Sequence, residues 1–312
     1  MEANQFPLVS IWCLVYNHEP YLRQCLDGFV MQKTNFKFEA IVHDDVSTDG
    51  SAAIIREYAE KYPEIIKPIF ETENQYSKRD NSLERIMYEA CRGKYIAMCE
   101  GDDYWIDSLK LQKQVNILEN NTDCSLCCGA FIRKQKYKYS INSGTFNTEI
   151  PYFRFTLKDW SGYWYTKTLT LMYRRTALDD FQYQRFKWCR DVHICYHLLR
   201  NGDGIYMNDV LGVYNIHDGG VFSLTSFDSK LVTHYNIYSE IHECYNDEVS
   251  RIILYYCILN LIINKPKSLS FSELFRIYKR GMSISDCFKQ RIKLIAAIIY
   301  KPKSLINLIR EN

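Results

Sequence analysis

Acidic pairs stand one or two residues after two short apolar runs. Asp44-Asp45 follows Phe38–Val42, and Asp102-Asp103, preceded by Glu100, follows Tyr95–Cys99. Asp49 lies just beyond the first pair, and Glu19 follows a third apolar run, Leu8–Tyr16. Carboxylates gathered this way repel one another unless a cation sits among them. Mg2+ and Mn2+ prefer oxygen ligands and bridge carboxylates to substrate phosphates. The acids therefore point to a divalent ion, Mn2+ or Mg2+, and a phosphate-bearing substrate. Glycine loops that cradle phosphate are missing: there is no GxxxxGK[ST], and Leu8–Tyr16 leads into Tyr16-Asn17-His18-Glu19-Pro20 rather than GxGxxG.

Those acids act together only if the chain brings them to one edge. The spacing predicts strands over Leu8–Tyr16, Phe38–Val42, Ile65–Phe70, Tyr95–Cys99 and Asp123–Arg133. Helices are expected between them. One opens at Pro20 with Leu22, Cys25, Leu26, Phe29 and Val30 on one face; others cover Ser47–Tyr62, Asn81–Arg92 and Leu109–Leu118. Alternation of this kind means βαβ units. The fold class is α/β, with a mostly parallel central sheet flanked by helices and a C-terminal helical extension. In such a sheet the C-terminal strand ends share one edge, and ligands bind there. Ser47 or Thr48 is expected to cap the second helix, and Asp107 or Ser108 the fourth.

Lys134–Trp160 shows little periodicity and reads as an irregular insertion facing substrate. Thr166–Leu171 alternates like a strand, Cys189–Leu199 reads as a helix, and Ile205–Tyr214 as extended chain. From Phe227 the pattern is helical to the end. Lys265-Pro266-Lys267-Ser268-Leu269 recurs as Lys301-Pro302-Lys303-Ser304-Leu305, which suggests two helix starts with proline in the first turn.

The chain of 312 residues has 39 Lys plus Arg against 37 Asp plus Glu. This balance argues against a nucleic-acid binder. Phe271–Asn312 is the exception, with nine basic and three acidic residues. There Phe288, Ile292, Ile295 and Ile299 share a helix face, which suits peripheral contact with an anionic membrane through 271–312. Packing on the rest of the chain or on another subunit is the alternative. Met1–Pro7 is too polar for a secretory signal, and no apolar run reaches the ~20 residues of a membrane span, so a cytoplasmic location at the inner membrane face is expected. Cys124, Cys127 and Cys128 have half the spacing of a zinc site but lie in an apolar run, the mark of a buried strand.

Three segments together closely resemble the family 2 glycosyltransferases of the GT-A fold. They are Leu8-Val9-Ser10-Ile11 leading to Tyr16-Asn17, then Asp44-Asp45-Val46-Ser47-Thr48-Asp49-Gly50, then Glu100-Gly101-Asp102-Asp103-Tyr104-Trp105. The resemblance covers roughly residues 6 to 225. It implies a GT-A domain over 1–225, with a nucleotide-binding half (1–133) and an acceptor half (134–225), followed by a helical extension over 226–312. It implies that Asp45, with Asp44 beside it, contacts the nucleotide base, and that Tyr16, Asn17 and Glu19 hold the nucleoside. Asp102 faces the ribose or metal side, and Asp103 ligates the cation that bridges the diphosphate. Glu100 stands where the family usually has aspartate. Arg190-Asp191-Val192-His193 resembles the family's catalytic acid at a helix start, which makes Asp191 the candidate base. Tyr214-Asn215-Ile216-His217-Asp218-Gly219-Gly220 resembles its Tyr-Arg-x-His segment, which puts His217 against the diphosphate or the metal.

The implied activity is an inverting, metal-dependent transfer of sugar from a nucleotide-diphosphate donor, a UDP-sugar, to a hydroxyl of a glycan or lipid-linked acceptor in surface-polysaccharide assembly. One base and one Lewis acid suffice for it. Two other readings stay open: a sugar nucleotidyltransferase, which would want a Gly- and Arg-containing loop after the first strand, and a nucleotide-sugar-binding module without a working base. His18, His43, His193 and His197 are expected to be structural. Tyr104, Trp105, Tyr152, Trp160, Tyr163 and Trp164 are either core or a stacking platform for the acceptor.

Overall fold

The computed structural model describes residues 6–142, 151–162, 165–220 and 225–299. Tyr163, Trp164 and the second Lys-Pro-Lys-Ser-Leu copy lie outside these. The chain divides into two compact units, Met1–His217 and Asp218–Asn312.

The first unit begins with β1 (Val9–Val15), α1 (Glu19–Val30), β2 (Phe38–Asp44), α2 (Ser51–Lys61) and β3 (Ile66–Phe70). A single turn α3 (Gln75–Lys78), then α4 (Ser82–Ala90), β4 (Tyr95–Met98), β5 (Tyr104–Trp105), α5 (Lys110–Asn120) and β6 (Cys124–Gln135) follow. After them come β7 (Lys138–Asn142), β8 (Tyr152–Phe155), α6 (Leu157–Gly162), β9 (Met172–Arg174), α7 (Asp191–Arg200) and β10 (Asp203–Ile216). The strand order is β3-β2-β1-β4-β9-β6-β10-β5, with β7 on β6 and β8 on β10. Pairing is parallel from β3 to β4 and again between β6 and β10; the short strands β5, β7, β8 and β9 pair antiparallel. Because β9 is antiparallel to both β4 and β6, the strands β1, β2, β4, β6 and β10 all run the same way. Their C-terminal ends therefore open on one edge, where this fold class binds ligands.

Local chemistry explains the elements. Pro20 sits in the first turn of α1, where its missing N–H costs nothing, and Leu22, Cys25, Leu26 and Phe29 are buried against the sheet. Val9, Ile11, Cys13 and Val15 line the covered face of β1. Cys124, Cys127 and Cys128 are buried in β6, as core residues of a strand.

Four local expectations are corrected. The insertion 134–160 is not irregular where described, because β7, β8 and α6 lie in it. Tyr137, Tyr139 and Ile141 are all exposed there, so the segment carries no inward–outward alternation to read. Thr166–Leu171 is not a strand: Thr168–Thr170 forms a 3-10 turn, with Thr168, Leu169 and Thr170 all buried, and the strand starts at Met172. Ser47 and Thr48 do not cap α2, whose N-cap is Gly50 without a side-chain bond. Asp107 and Ser108 likewise precede the α5 cap position, Leu109; Asp107 bonds the Leu109 N–H instead.

The second unit comprises α8 (Phe227–Tyr245), α9 (Glu248–Asn264), α10 (Phe271–Ile284) and α11 (Phe288–Ile299). Leu254, Ile258, Leu261 and Ile262 of α9 form its core with Ile277 and Leu294. The first Lys-Pro-Lys-Ser-Leu copy ends a helix instead of starting one. Lys265 caps α9 in the left-handed region, and α10 begins only after Ser270, whose hydroxyl accepts the Glu273 N–H in a capping box. No helix among the described residues is long and apolar enough to cross a membrane.

Candidate active site

The loop after β4 carries three carboxylates. Glu100, Asp102 and Asp103 each offer an oxygen, and these oxygens lie within 4.8 Å of one another. Gly101 makes the packing behind them possible: a Cβ there would stand 2.8 Å from His18 Nδ1 and 2.9 Å from a Val15 methyl. Asp103 is fully buried. Its Oδ1 accepts the Asn215 N–H at 2.9 Å, while its Oδ2 is buried without a partner. Asn215 also donates to the Asp102 carbonyl at 2.6 Å, so the end of β10 grips this loop twice.

Electrostatics separates the three acids. Lost hydration, then the charges of Asp102 and Glu100, raises the Asp103 carboxyl well above the usual carboxylate range. Lost hydration and Asp102 push Glu100 up to about 7. Burial works the same way on Asp102, but the His217 hydrogen bond and the charges of His18 and His217 outweigh it, so its carboxyl lies below its ordinary value. A buried carboxylate oxygen with no partner, beside two more acids, is what an oxygen-preferring divalent cation would relieve. The donor set fits Mg2+ or Mn2+.

The loop after β1 is tied to the loop after β2. The Asn17 N–H donates to Ser47 Oγ at 2.9 Å, and Asn17 Oδ1 accepts the Thr48 N–H at 2.7 Å. The Glu19 N–H donates to Asp49 Oδ2, and Glu19 Oε2 accepts the Gly50 N–H at 2.7 Å. Asn17 and Val46 both sit at positive φ, 55° and 65°. For a β-branched residue such as Val46 that is strain, held by the ties around it. Tyr16 beside them is half exposed.

Asp44 and Asp45 are both buried but do different things. Asp45 accepts the N–H of Gln75 at 2.6 Å and of Tyr76 at 3.0 Å, which fixes the turn α3. Asp44 keeps one buried oxygen, Oδ1, without a partner. Tyr76 in turn interacts with the charges of Arg190 and Glu100, so α3 reaches the acid cluster.

Asp191 opens α7, and its Oδ1 accepts the Val192 N–H at 2.9 Å. Its charge acts on Glu100 and on Lys167, which puts it in the same region as the β4 loop. His217 Nε2 lies 3.0 Å from Asp102 Oδ2, and the ring rests 4.5 Å from that of Tyr21.

Sequence reading overlooked three neighbours. His18, expected to be structural, has its Nε2 3.9 Å from Asp102 Oδ2. Thr168 donates to Glu100 Oε2 at 3.4 Å. Lys167 rests its ammonium 3.6 Å from the centre of the Tyr214 ring. Lys167 and Thr168 gave no signal because they precede a short strand whose place beside β4 is set by long-range pairing. The aromatic group divides. Trp105 and Trp160 are core, their indole N–H groups bonded to the Leu169 carbonyl and Thr166 Oγ1. Tyr152 packs against the core cluster.

The chain is similar to several known proteins. "Uncharacterized protein Rv1520" of Mycobacterium tuberculosis is 44% identical over 119 residues, 38% of this chain and 34% of that protein. The chain thus matches about a third of the length of the mycobacterial relatives. "Putative teichuronic acid biosynthesis glycosyltransferase TuaG" of Bacillus subtilis is 27% identical over 230 residues, 71% of this chain and 84% of that protein. Among solved structures, S. aureus TarS 1-349 in complex with UDP has a TM-score of 0.63 at 16% identity, covering 97% of this chain and 91% of that one. The mannosyltransferase PcManGT from Pyrobaculum calidifontis, in complex with GDP-Man and Mn2+, has a TM-score of 0.53 at 14% identity, covering 95% and 87%. These two likenesses show the GT-A fold. The model of "Glycosyl transferase family 2" matches residues 10–181, more than half of the chain, and the protein belongs to that family.

Proposed function

We propose that the protein is an inverting, metal-dependent glycosyltransferase. It moves a sugar from a nucleotide-diphosphate donor, a UDP-sugar, to a hydroxyl of a glycan or lipid-linked acceptor in surface-polysaccharide assembly. The observation that carries this reading is the buried, unpartnered Asp103 Oδ2 beside Glu100 and Asp102, at the sheet edge that Asp44, Asp191 and His217 also reach. The names of TuaG, TarS and PcManGT support donor and pathway class.

Asp103, with Asp102 and Glu100, would hold Mn2+ or Mg2+, and His217 lies against that centre and orients Asp102 by its hydrogen bond. The bound cation supplies Lewis-acid stabilisation of the departing diphosphate. Asp191 removes the acceptor hydroxyl's proton as that oxygen attacks the anomeric carbon from the face opposite the leaving group. Asp45, with Asp44 beside it, contacts the nucleotide base while fixing α3, and Tyr16, Asn17 and Glu19 hold the nucleoside on the two clasped loops. A panel of nucleotide sugars screened by thermal shift with Mn2+ tests this, because a bound donor raises the melting temperature by mass action. No shift with any donor ends the reading.

The reading extends to a membrane surface as partner. On α11 Leu294 and Ala297 are buried, while Phe288, Ile292 and Ile295 of the expected face, and Ile298 near them, are exposed beside Lys289, Arg291 and Lys293; the side chain of Ile299 lies outside the described residues. An apolar stripe edged by cations suits an anionic bilayer. Flotation with phosphatidylglycerol vesicles, and none with phosphatidylcholine vesicles, is the expected result.

A further inference from the structure

Lys167 stands inside the acidic site but is not paired with any of its acids. Its ammonium lies on the Tyr214 ring at 3.6 Å from the centroid. Both attachments of this lysine lead to the carboxylates. The next residue, Thr168, donates to Glu100 Oε2, and the residue after Tyr214, Asn215, donates its N–H to Asp103 Oδ1. Burial opposes its charge, yet Tyr214 and the carboxylates of Glu100, Asp103 and Asp191 hold the ammonium above its ordinary value, so it stays protonated. No carboxylate lies within 4.0 Å of it among the described residues. A lysine that rests on an aromatic face beside these acids keeps its ammonium donors for something that enters between them.

Resting on the donor-site reading above, we propose that Lys167 is the site's built-in second cation: from its seat on Tyr214 its charge opposes the divalent ion at the Glu100–Asp102–Asp103 cluster when no donor is bound, and it donates to the donor's diphosphate when the site is filled. In the transfer, the bond from the anomeric carbon to the diphosphate oxygen breaks with its electron pair on that oxygen. The acceptor oxygen forms the new bond, and its proton goes to Asp191. Lys167 gives up no proton; its fixed charge meets the negative charge that develops on the leaving group.

A neutral or a conservative side chain at this position separates the two roles. A protonated lysine and a divalent ion repel, so Lys167→Met is expected to bind Mn2+ alone about tenfold more tightly by calorimetry. With Mn2+ saturating, the same variant is expected to bind UDP about tenfold more weakly. Lys167→Arg, which keeps the charge, stays near wild type in both titrations. A purely structural lysine would not tighten metal binding when removed. Mn2+ affinity that is unchanged or weaker in Lys167→Met overturns the proposal, as does unchanged UDP affinity. Wild-type protein that binds neither Mn2+ nor UDP overturns the donor-site reading itself. Circular dichroism melts of both variants verify that the fold is kept.

Discussion

His217 at the end of β10 and Asp102 in the loop after β4 meet at 3.0 Å, although 115 residues separate them in the chain. The same strand end supplies Asn215 to Asp103. One segment thus orders both members of the acid pair: it leaves Asp102 charged and Asp103 with a bare oxygen. The two aspartates are neighbours in sequence, but their surroundings prepare them for different work.

Asp103→Asn tests the cation site. The amide keeps the size of the side chain and its acceptor for the Asn215 N–H, but removes the charge. Mn2+ binding is expected to vanish in calorimetry, and transfer to fall at least about a hundredfold. The melting temperature without metal should hold or rise, because the buried Asp103 carboxyl resists the ionisation that the unfolded chain undergoes freely at neutral pH, and an amide carries no such cost. An unfolded variant, or one with wild-type metal affinity, contradicts the assignment.

Asp191→Asn tests the base. A positioned general base contributes about 10²–10⁴-fold, so transfer should fall within that range while the UDP dissociation constant stays within about threefold. Surviving transfer would take Asp191 out of the role. Unchanged transfer together with intact donor binding would favour a different base on the same edge.

The acids were legible because strand ends leave a local mark: an apolar run, then Asp44-Asp45 or Glu100-Gly101-Asp102-Asp103. Pro20 and the α1 stripe were legible for the same reason, since a helix face repeats within its own sequence. What faces the acids from across the sheet was not. Lys167 and Thr168 arrive through the pairing of β9 with β4 and β6, and no local period encodes that pairing. His18 read as an ordinary lone histidine because its significance lies in Gly101, whose missing side chain makes room for it. Ser47 and Thr48 read as helix caps because their types suit caps; the structure uses the same hydrogen-bonding groups to clasp Asn17 instead.

That clasp can be measured. Asn17→Ala removes the acceptor for the Thr48 N–H and places a Cβ-bearing residue with no compensating polar group at φ 55°. The loss is expected to be about 1–2 kcal/mol. Asn17→Gly loses the same bond but relieves the backbone, so it should be more stable than Asn17→Ala by about 1 kcal/mol. Urea titrations of the two variants give the difference directly. An alanine variant as stable as the glycine one would show that the loop does not hold this conformation in solution.

Lys110 gives the pH dependence a sign. Its side chain is fully buried at the start of α5, where Nζ donates to Gln114 Oε1 at 2.7 Å and lies 3.9 Å from the centre of the Trp105 ring. Lost hydration pushes the ammonium down to about 7. The folded protein therefore gives up a proton that the unfolded chain keeps until about pH 10. The unfolded state binds more protons over this window, so the lysine's penalty is present in full below about pH 7 and shrinks as pH rises. Its contribution makes unfolding free energy climb with pH between 7 and 9 by up to about 1.4 kcal/mol per unit. Lys110→Met removes that climb while leaving Gln114 Oε1 short of a donor, a fixed cost of about 1–3 kcal/mol at every pH. The slope, not the absolute stability, is the readout: urea unfolding at pH 7, 8 and 9 should give a curve for Lys110→Met that is flatter than wild type. Parallel curves would mean that the Lys110 ammonium keeps its ordinary proton affinity inside the fold.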